Sequence, residues 1–346
     1  MRKYENNGSG YIAEAEYYLK KEGKAVMCVL CPNGCIIKDG GSGKCRSRIN
    51  RDGKLYSIAY GNPCSVAIDP VEKKPLFHFL PGSDCLSLAC AGCNLSCANC
   101  QNWEISQKSP SETSNYDLPP QKVVGLCKSK GLSSIAYTYT EPLTYFEYIF
   151  DTAEIAHENG IRNILVSAGY INKRPLKKLC RVIDAANIDL KSFDDKIYEK
   201  LNGGKLAPVL NTLKMLKDEG VWLEITNLVI PSWNDDPAMI RKMCIWLVKN
   251  GFEETPLHFS RFFPMYRSSN LPPTPVPKLY EAASIAASEG LKYVYIGNVP
   301  DSETENTFCP GCRSIVVERN GFGIMENHIK RDRCALCGTK IAGIWE

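Results

Sequence analysis

Three cysteines in this chain stand close enough in sequence to hold one metal centre. They are Cys93, Cys97 and Cys100, in CAGCNLSCANCQNWE, at the spacing Cys-x3-Cys-x2-Cys. Thiolates are soft ligands that suit zinc, iron and iron–sulfur clusters. A structural zinc takes four protein ligands. A cubane iron–sulfur cluster has four irons, usually bound by four cysteines. Three cysteines on such a cube leave one iron open to a ligand that is not protein. The competing expectation is a zinc ion whose fourth ligand lies elsewhere in the chain.

Two further cysteine sets flank this loop. Cys28, Cys31, Cys35 and Cys45 fall in CVLCPNGCIIKDGGSGKC, where glycines allow the tight turns that wrap backbone around an ion. Four thiolates suit zinc and an auxiliary iron–sulfur cluster alike. Near the end, Cys309 and Cys312 form one Cys-x2-Cys pair, and Cys334 and Cys337 form a second, twenty-one residues on. That pattern is a zinc-ribbon signal; His328 between the pairs is not needed as a ligand.

Seventeen cysteines in 346 residues is an odd number and does not read as a secreted disulfide framework. Clustered thiols that must stay reduced imply a reducing compartment. The remaining six, Cys64, Cys85, Cys90, Cys127, Cys180 and Cys244, read as small buried apolar groups. A net charge of +4 is too mild to argue for nucleic acid. The start, MRKYENNGSGYIAEAEYY, lacks the apolar core of a signal peptide, and no apolar run is long enough to span a bilayer. The expectation is a cytoplasmic protein with no membrane or nucleic-acid partner.

The elements that must position these cysteines come next. Residues 11–22 read as a short helix ending near Gly23, and residues 54–88 as short strands and turns. His78, between Phe77 and Phe79, reads as a packed histidine. The apolar run Leu86–Ala89 reads as a buried strand that delivers the cysteine loop. Residues 105–120, rich in Ser, Thr and Pro, read as a mobile connection or lid. Beyond them one unit recurs: a helical pattern, a glycine, then a short apolar strand, with joins at Gly131, Gly160, Gly220, Gly251 and Gly290. Glycine just past a helix end takes the left-handed conformation cheaply. Strands alternating with helices argue a parallel sheet. The expected architecture is α/β: a partial, open (β/α)6 TIM-like barrel over 85–300, with an N-terminal Cys-rich segment over 1–84 and a C-terminal zinc ribbon over 301–346.

In such barrels the chemistry sits at the carboxyl ends of the strands. Those ends carry Thr138–Glu141; Ser167, Gly169 and Tyr170; Asp189 and Lys191; Glu224, Thr226 and Asn227; and His258, Ser260 and Arg261. This set offers carboxylates for an ammonium, hydroxyls and amides for a ribose, and cations for a carboxylate.

The cysteine loop, QNWEIS, IAYTYTEPLTYFEY, IDLKSFDDKIY, LVIPSWND, TPLHFSRFFP and LKYVYIGNV together resemble the radical S-adenosylmethionine (SAM) enzyme of the AmmeMemoRadiSam system, a family related to the pyruvate formate-lyase activating enzymes. The likeness covers nearly the whole chain. It implies that Cys93, Cys97 and Cys100 ligate a [4Fe–4S] cluster whose open iron chelates SAM. Reduction then cleaves the sulfonium to a 5′-deoxyadenosyl radical that takes hydrogen from a substrate. It also implies that Thr140 and Glu141 lie by the SAM amino group, Ser167 and Gly169 by the ribose, and Asp189 and Lys191 at the methionine end. His258 joins these as a cofactor-binding candidate from its strand. Asn99 stands where the superfamily usually has an aromatic residue over the adenine, so adenine packing differs here. Val166 replaces an aspartate that helps hold a monovalent cation in activating enzymes, so that cation is not expected. The implied partners are an electron donor such as flavodoxin or ferredoxin and a substrate that is a protein or a small molecule. The alternative is a non-catalytic protein with several zinc sites that binds nucleic acid or a protein partner. It would be colourless and would bind with steep salt dependence.

Overall fold

The structure is a computed structural model that describes residues 4–6, 11–299 and 303–346. Its centre is one large sheet built from the short apolar segments between the helical patterns. The strands are Ser65–Pro70 (β1), Asp84–Ala89 (β2), Ser134–Tyr137 (β3), Arg162–Ser167 (β4), Ala185–Asp189 (β5), Trp222–Val229 (β6), Leu257–Arg261 (β7) and Val294–Gly297 (β8). They lie side by side in chain order. β2 to β8 are all parallel, and β1 pairs antiparallel with β2 at one edge. Six strands thus follow the one that delivers the cysteine loop, as the alternation predicts. The sheet itself begins at Ser65, inside the segment that the sequence assigns to the N-terminal part.

Helices Pro120–Ser129 (α1), Phe146–Glu158 (α2), Lys173–Leu179 (α3), Leu206–Asp218 (α4), Pro237–Lys249 (α5) and Val276–Ser288 (α6) form the crossovers. In α4 the buried Leu206, Val209, Leu213 and Leu216 recur at helical spacing and make the face laid on the sheet. The glycine after each long helix has positive φ. The residue beyond it donates back into the last turn, as Ile161 N does to Ala156 O at 2.9 Å and Val221 N to Leu216 O at 3.0 Å. This closing bond satisfies a carbonyl that the helix leaves open and aims the chain into the next strand.

Residues 11–22 correct the sequence expectation: they are not a helix. Tyr11–Glu14 pairs with Lys54–Ser57, and Tyr18–Lys20 pairs with Val26–Cys28. From Ala13 to Tyr17 burial alternates residue by residue, which is the strand period. Ala, Glu, Leu and Lys favour helix weakly, and cross-strand partners override that preference. This N-terminal layer docks on α2. Arg48 forms a fully buried ion pair with Glu147, Tyr60 donates to Asp151 at 2.8 Å, and the rings of Tyr17 and Phe146 meet edge to face.

The amino-terminal end of the parallel strands is closed from two sides. The connection between β1 and β2 turns into the sheet and packs Val71, Leu76 and Phe79 against Ala136, Ile164 and Ala185. The C-terminal residues then cover it. Ile344 brackets the connection, donating to His78 O at 2.8 Å and accepting from Leu80 N at 2.7 Å, and Arg319 donates to Phe77 O at 2.7 Å. The four-cysteine C-terminal module therefore sits at the end of the sheet opposite the cysteine loop, which leaves β2 at its carboxyl end. Among the described residues no helix is long and apolar enough to cross a membrane.

Candidate active site

β2 ends at Ala89, and the chain turns directly into the loop carrying Cys93, Cys97 and Cys100, all half-buried. The loop is held by backbone. Ser96 N donates to Asn202 O at 2.8 Å, Ala98 N to Leu201 O at 2.9 Å, and Arg267 N to Ala98 O at 2.9 Å. Two consecutive glycines let the partner segment come this close: a Cβ on Gly203 would collide with Ser96 Oγ, and one on Gly204 would lie 2.7 Å from Leu95 Cδ2.

The sulfur atoms have donors aimed at them. Asn202 Nδ2 donates to Cys97 Sγ at 3.3 Å, Leu95 N to Cys93 Sγ at 3.4 Å, and Ser106 Oγ lies 3.2 Å from Cys100 Sγ. Burial pushes the Cys93 thiol up, and the Glu141 carboxylate adds to the rise. Burial also raises Cys97, where the Lys191 ammonium and the Asn202 amide oppose it. Such thiols need a cation to ionise, and the donors would then support the charge on sulfur. The donor set therefore fits a thiophilic metal centre, and three thiols without a fourth fit one with an open position.

Around this loop the structure gathers most of the strand-end residues named from sequence. Thr140 donates from Oγ1 to Cys90 O at 2.7 Å. Tyr139 before it holds a left-handed φ of 67°, so the turn after β3 bends sharply. Glu141 is buried. It accepts from Ser167 Oγ at 2.7 Å, Ala168 N at 2.9 Å and Leu143 N at 3.2 Å, while burial still raises its pKa. It ties the end of β3 to the end of β4. Gly169 N donates to Ser167 Oγ, and Gly169 O accepts from Thr212 Oγ1 at 2.7 Å. At the end of β5, Lys191 Nζ donates to Asp189 Oδ2 at 2.9 Å. Burial disfavours the ammonium, and Asp189 with Cys97 more than offsets this. Asn99 is buried with its Oδ1 lacking a hydrogen-bond partner, as are Asn202 and Asn227. Unpaired buried acceptors at the mouth suit a ligand that brings N–H or O–H groups.

His258 corrects the expectation for the rim. It is the second residue of β7, and its Nε2 lies 2.7 Å from Glu224 Oε2. Glu224 also accepts from Phe77 N at 3.0 Å, His78 N at 2.7 Å and Trp222 Nε1 at 3.1 Å. Both belong to the closed floor, because Glu224 is the third residue of β6 and His258 the second of β7, at the amino ends of their strands. His78 is packed, as expected: it is fully buried, with Nδ1 2.6 Å from Ala342 O. Residues 105–120 are not a free lid. Tyr116 N donates to Pro63 O at 2.8 Å and Leu118 N to Gly61 O at 3.0 Å, and Ser109 and Glu112 form a capping box. Asn202 and Ser106 were missed from sequence. Asn202 lies in a five-residue π-turn, Tyr198–Asn202, just before Gly203-Gly204, and that glycine pair was the available signal.

The two terminal cysteine sets are also assembled. Cys309, Cys312, Cys334 and Cys337 have all their sulfur atoms within 4.8 Å of one another, a group able to hold a metal ion. Hydrogen bonding with Thr339 lowers Cys337 to about 6. Cys28, Cys31, Cys35 and Cys45 line a common cavity.

A three-cysteine loop at the carboxyl end of a parallel sheet could hold iron or zinc, and comparison with known proteins shows what the chain is similar to. Residues 88–244 match the family model of the radical SAM superfamily, so the chain carries a radical SAM domain. It is 46% identical over 332 residues to the uncharacterized protein MJ0808 of Methanocaldococcus jannaschii, covering 95% of this chain and 99% of that one. It is 24% identical over 149 residues to the pyruvate formate-lyase 1-activating enzyme of Escherichia coli, covering 42% of this chain and 61% of that enzyme. Among solved structures, Streptococcus suis SuiB bound to S-adenosylmethionine matches with a TM-score of 0.48 at 14% identity, over 69% of this chain and 56% of that one.

Proposed function

We propose that this protein reductively cleaves S-adenosylmethionine at a [4Fe–4S] cluster held by Cys93, Cys97 and Cys100. The observation that carries this reading is the loop itself, at the mouth of the parallel sheet: three thiols, each with a hydrogen-bonding neighbour, while the adjacent Cys90 turns its thiol to Ala59 O at 3.3 Å. When bound, the cluster supplies the electron that splits the sulfonium, and the adenosyl fragment takes a hydrogen atom from a substrate. The chain's own residues bind and orient. Asn202, Leu95 N and Ser106 support the sulfur atoms. Lys191, steadied by Asp189, offers a cation for a carboxylate and lies close enough to Cys97 to favour its thiolate. Glu141, Ser167 and Gly169 form one hydrogen-bonded rim for the rest of the cofactor, with Glu141 acting through the backbone it holds, and Thr140, bonded to Cys90 O, stands beside them. Asn99, with its unpaired Oδ1, faces the adenine question in place of an aromatic ring.

Within the superfamily, we place the chain with the AmmeMemoRadiSam enzymes on the segments quoted above. The relatives named as pyruvate formate-lyase activating enzymes support a protein as one substrate class, at a glycine or at a side chain, beside a small molecule. Residues 262–275 bond to the cysteine loop, and Tyr266 stacks on Trp103 at 5.1 Å, so these side chains line the approach. A ferredoxin or flavodoxin supplies the electron. The C-terminal four cysteines hold zinc, in keeping with their spacing. The test is anaerobic reconstitution with iron, sulfide, a strong reductant and SAM. The expected products are 5′-deoxyadenosine and methionine. A fully loaded protein that yields neither overturns the reading.

A further inference from the structure

The two outer cysteine sets each have four thiols, and they are built to different scales. Ligands of one tetrahedral zinc, each about 2.3 Å from the metal, must lie about 3.8 Å from one another. The C-terminal set meets this: Cys309 and Cys337 are 3.6 Å apart, and Cys312 and Cys334 are 3.8 Å apart. Cys28, Cys31, Cys35 and Cys45 all lie among the described residues and do not form such a close group, and neither do Cys93, Cys97 and Cys100. In a [4Fe–4S] cluster each thiolate binds a different iron, so the ligands stand apart around the cube.

The N-terminal four are nevertheless directed at one place. They line a single small cavity with Leu30, Ile37 and Arg48. Backbone wraps it, with Cys28 N donating to Cys35 O at 2.9 Å and Lys44 N to Cys35 Sγ at 3.4 Å. A second, independent feature marks it as a ligand site. Arg48 is fully buried and lines the cavity. Its Nη2 pairs with Glu147 and its Nε donates to Thr144 O at 3.2 Å, but its Nη1 has no hydrogen-bond partner. A buried guanidinium N–H left unpaired beside four thiols is suited to an anionic cluster with sulfur acceptors.

We infer that Cys28, Cys31, Cys35 and Cys45 bind a second [4Fe–4S] cluster, not zinc. It lies directly behind the first cluster's loop. A Cβ on Gly92, the residue before Cys93, would collide with Cys45 O. Asn33 Nδ2 donates to Asn94 O at 2.7 Å, and Asn94 itself lines the cavity.

Metal and sulfide analysis tests this on the whole protein, reconstituted anaerobically with iron, sulfide and zinc all present. The expected content is about eight irons, eight sulfides and one zinc per chain. About four irons and two zincs overturns the proposal. A variant with Cys93, Cys97 and Cys100 all changed to Ser isolates the N-terminal site from SAM chemistry. It is expected to keep about four irons, a sulfide-to-iron absorption band and an electron paramagnetic signal on reduction. A folded triple variant with zinc but no iron overturns the proposal. Conversely, Cys28→Ser with Cys31→Ser should halve the iron and leave the cluster of the Cys93 loop. Failure of SAM cleavage alone would sink the proposed function and leave this site standing. If the paired variant does not fold, the count on the unaltered chain still decides.

Discussion

The two ends of the parallel sheet carry similar polar residues and treat them oppositely. At the amino end, Glu224 is buried and takes hydrogen bonds from two backbone amides, an indole and a histidine. At the carboxyl end, Asn99, Asn202 and Asn227 keep buried acceptors without partners, and three thiols stand half-buried. Satisfied polar groups hold an architecture together; groups left unsatisfied wait for something else. The floor also keeps Glu72 Oε2 and Arg319 Nε unpaired, so it is the half-buried thiols beside the unpaired asparagines that mark the carboxyl end, where the strand loops gather, as the mouth.

Four substitutions or conditions should break or sharpen this division. The largest effect belongs to the mouth. Cys97→Ala should remove the Cys93-loop cluster and abolish 5′-deoxyadenosine formation together, read by iron content and product chromatography. Activity lost with that cluster intact would contradict the ligand assignment. At the floor, Glu224→Ala strands His258 and two amides, and should lower unfolding free energy by about 3–5 kcal/mol in denaturant titration. SAM cleavage per folded molecule should change far less. A selective loss of cleavage without loss of stability would return Glu224 to the mouth.

Acid should act on the floor next. Burial lowers His78 to about 4 from the ordinary 6.5, although Glu224 opposes the drop. Between those values the unfolded chain takes up a proton that the folded chain refuses. His78's contribution is therefore complete above about 6.5 and is lost as pH falls towards about 4, to a limit of about 3 kcal/mol. Stability measured across that range should fall, and His78→Gln should flatten the slope. The smallest effect is expected for Asn202→Ala, which removes one N–H donor from Cys97 Sγ. It should cost about 10–100-fold in activity and shift the cluster's reduction potential downward, with unfolding little changed. An unaltered potential would deny the amide its role.

Much of the mouth could be read from the chain because its signals are local. Thiol spacing in the Cys93 loop, glycines closing each helix and the order of helices and strands all act over a few residues. Asn202 could not be recognised that way. It lies 105 residues from Cys97 and reaches it only because Gly203 and Gly204 let two segments touch. His258 and Glu224 look like rim residues in sequence, but both stand near the amino ends of their strands, where Phe77, His78 and Tyr295, distant in the chain, enclose them. Residues 11–22 read as helix because Ala, Glu, Leu and Lys favour it, whereas the partners that make them strands come from residues 26–28 and 54–57.

By itself the sequence determined which residues can ligate metal, the alternation that yields a parallel sheet, and the likeness to the radical SAM superfamily. Tertiary structure decided which end each polar group faces, what supports each sulfur, and how widely each set of thiols is spread. Ligand identity is a property of side-chain chemistry and needs no neighbour. Spacing between sulfur atoms, and with it the choice between one zinc and a cube of irons, exists only after distant segments have packed.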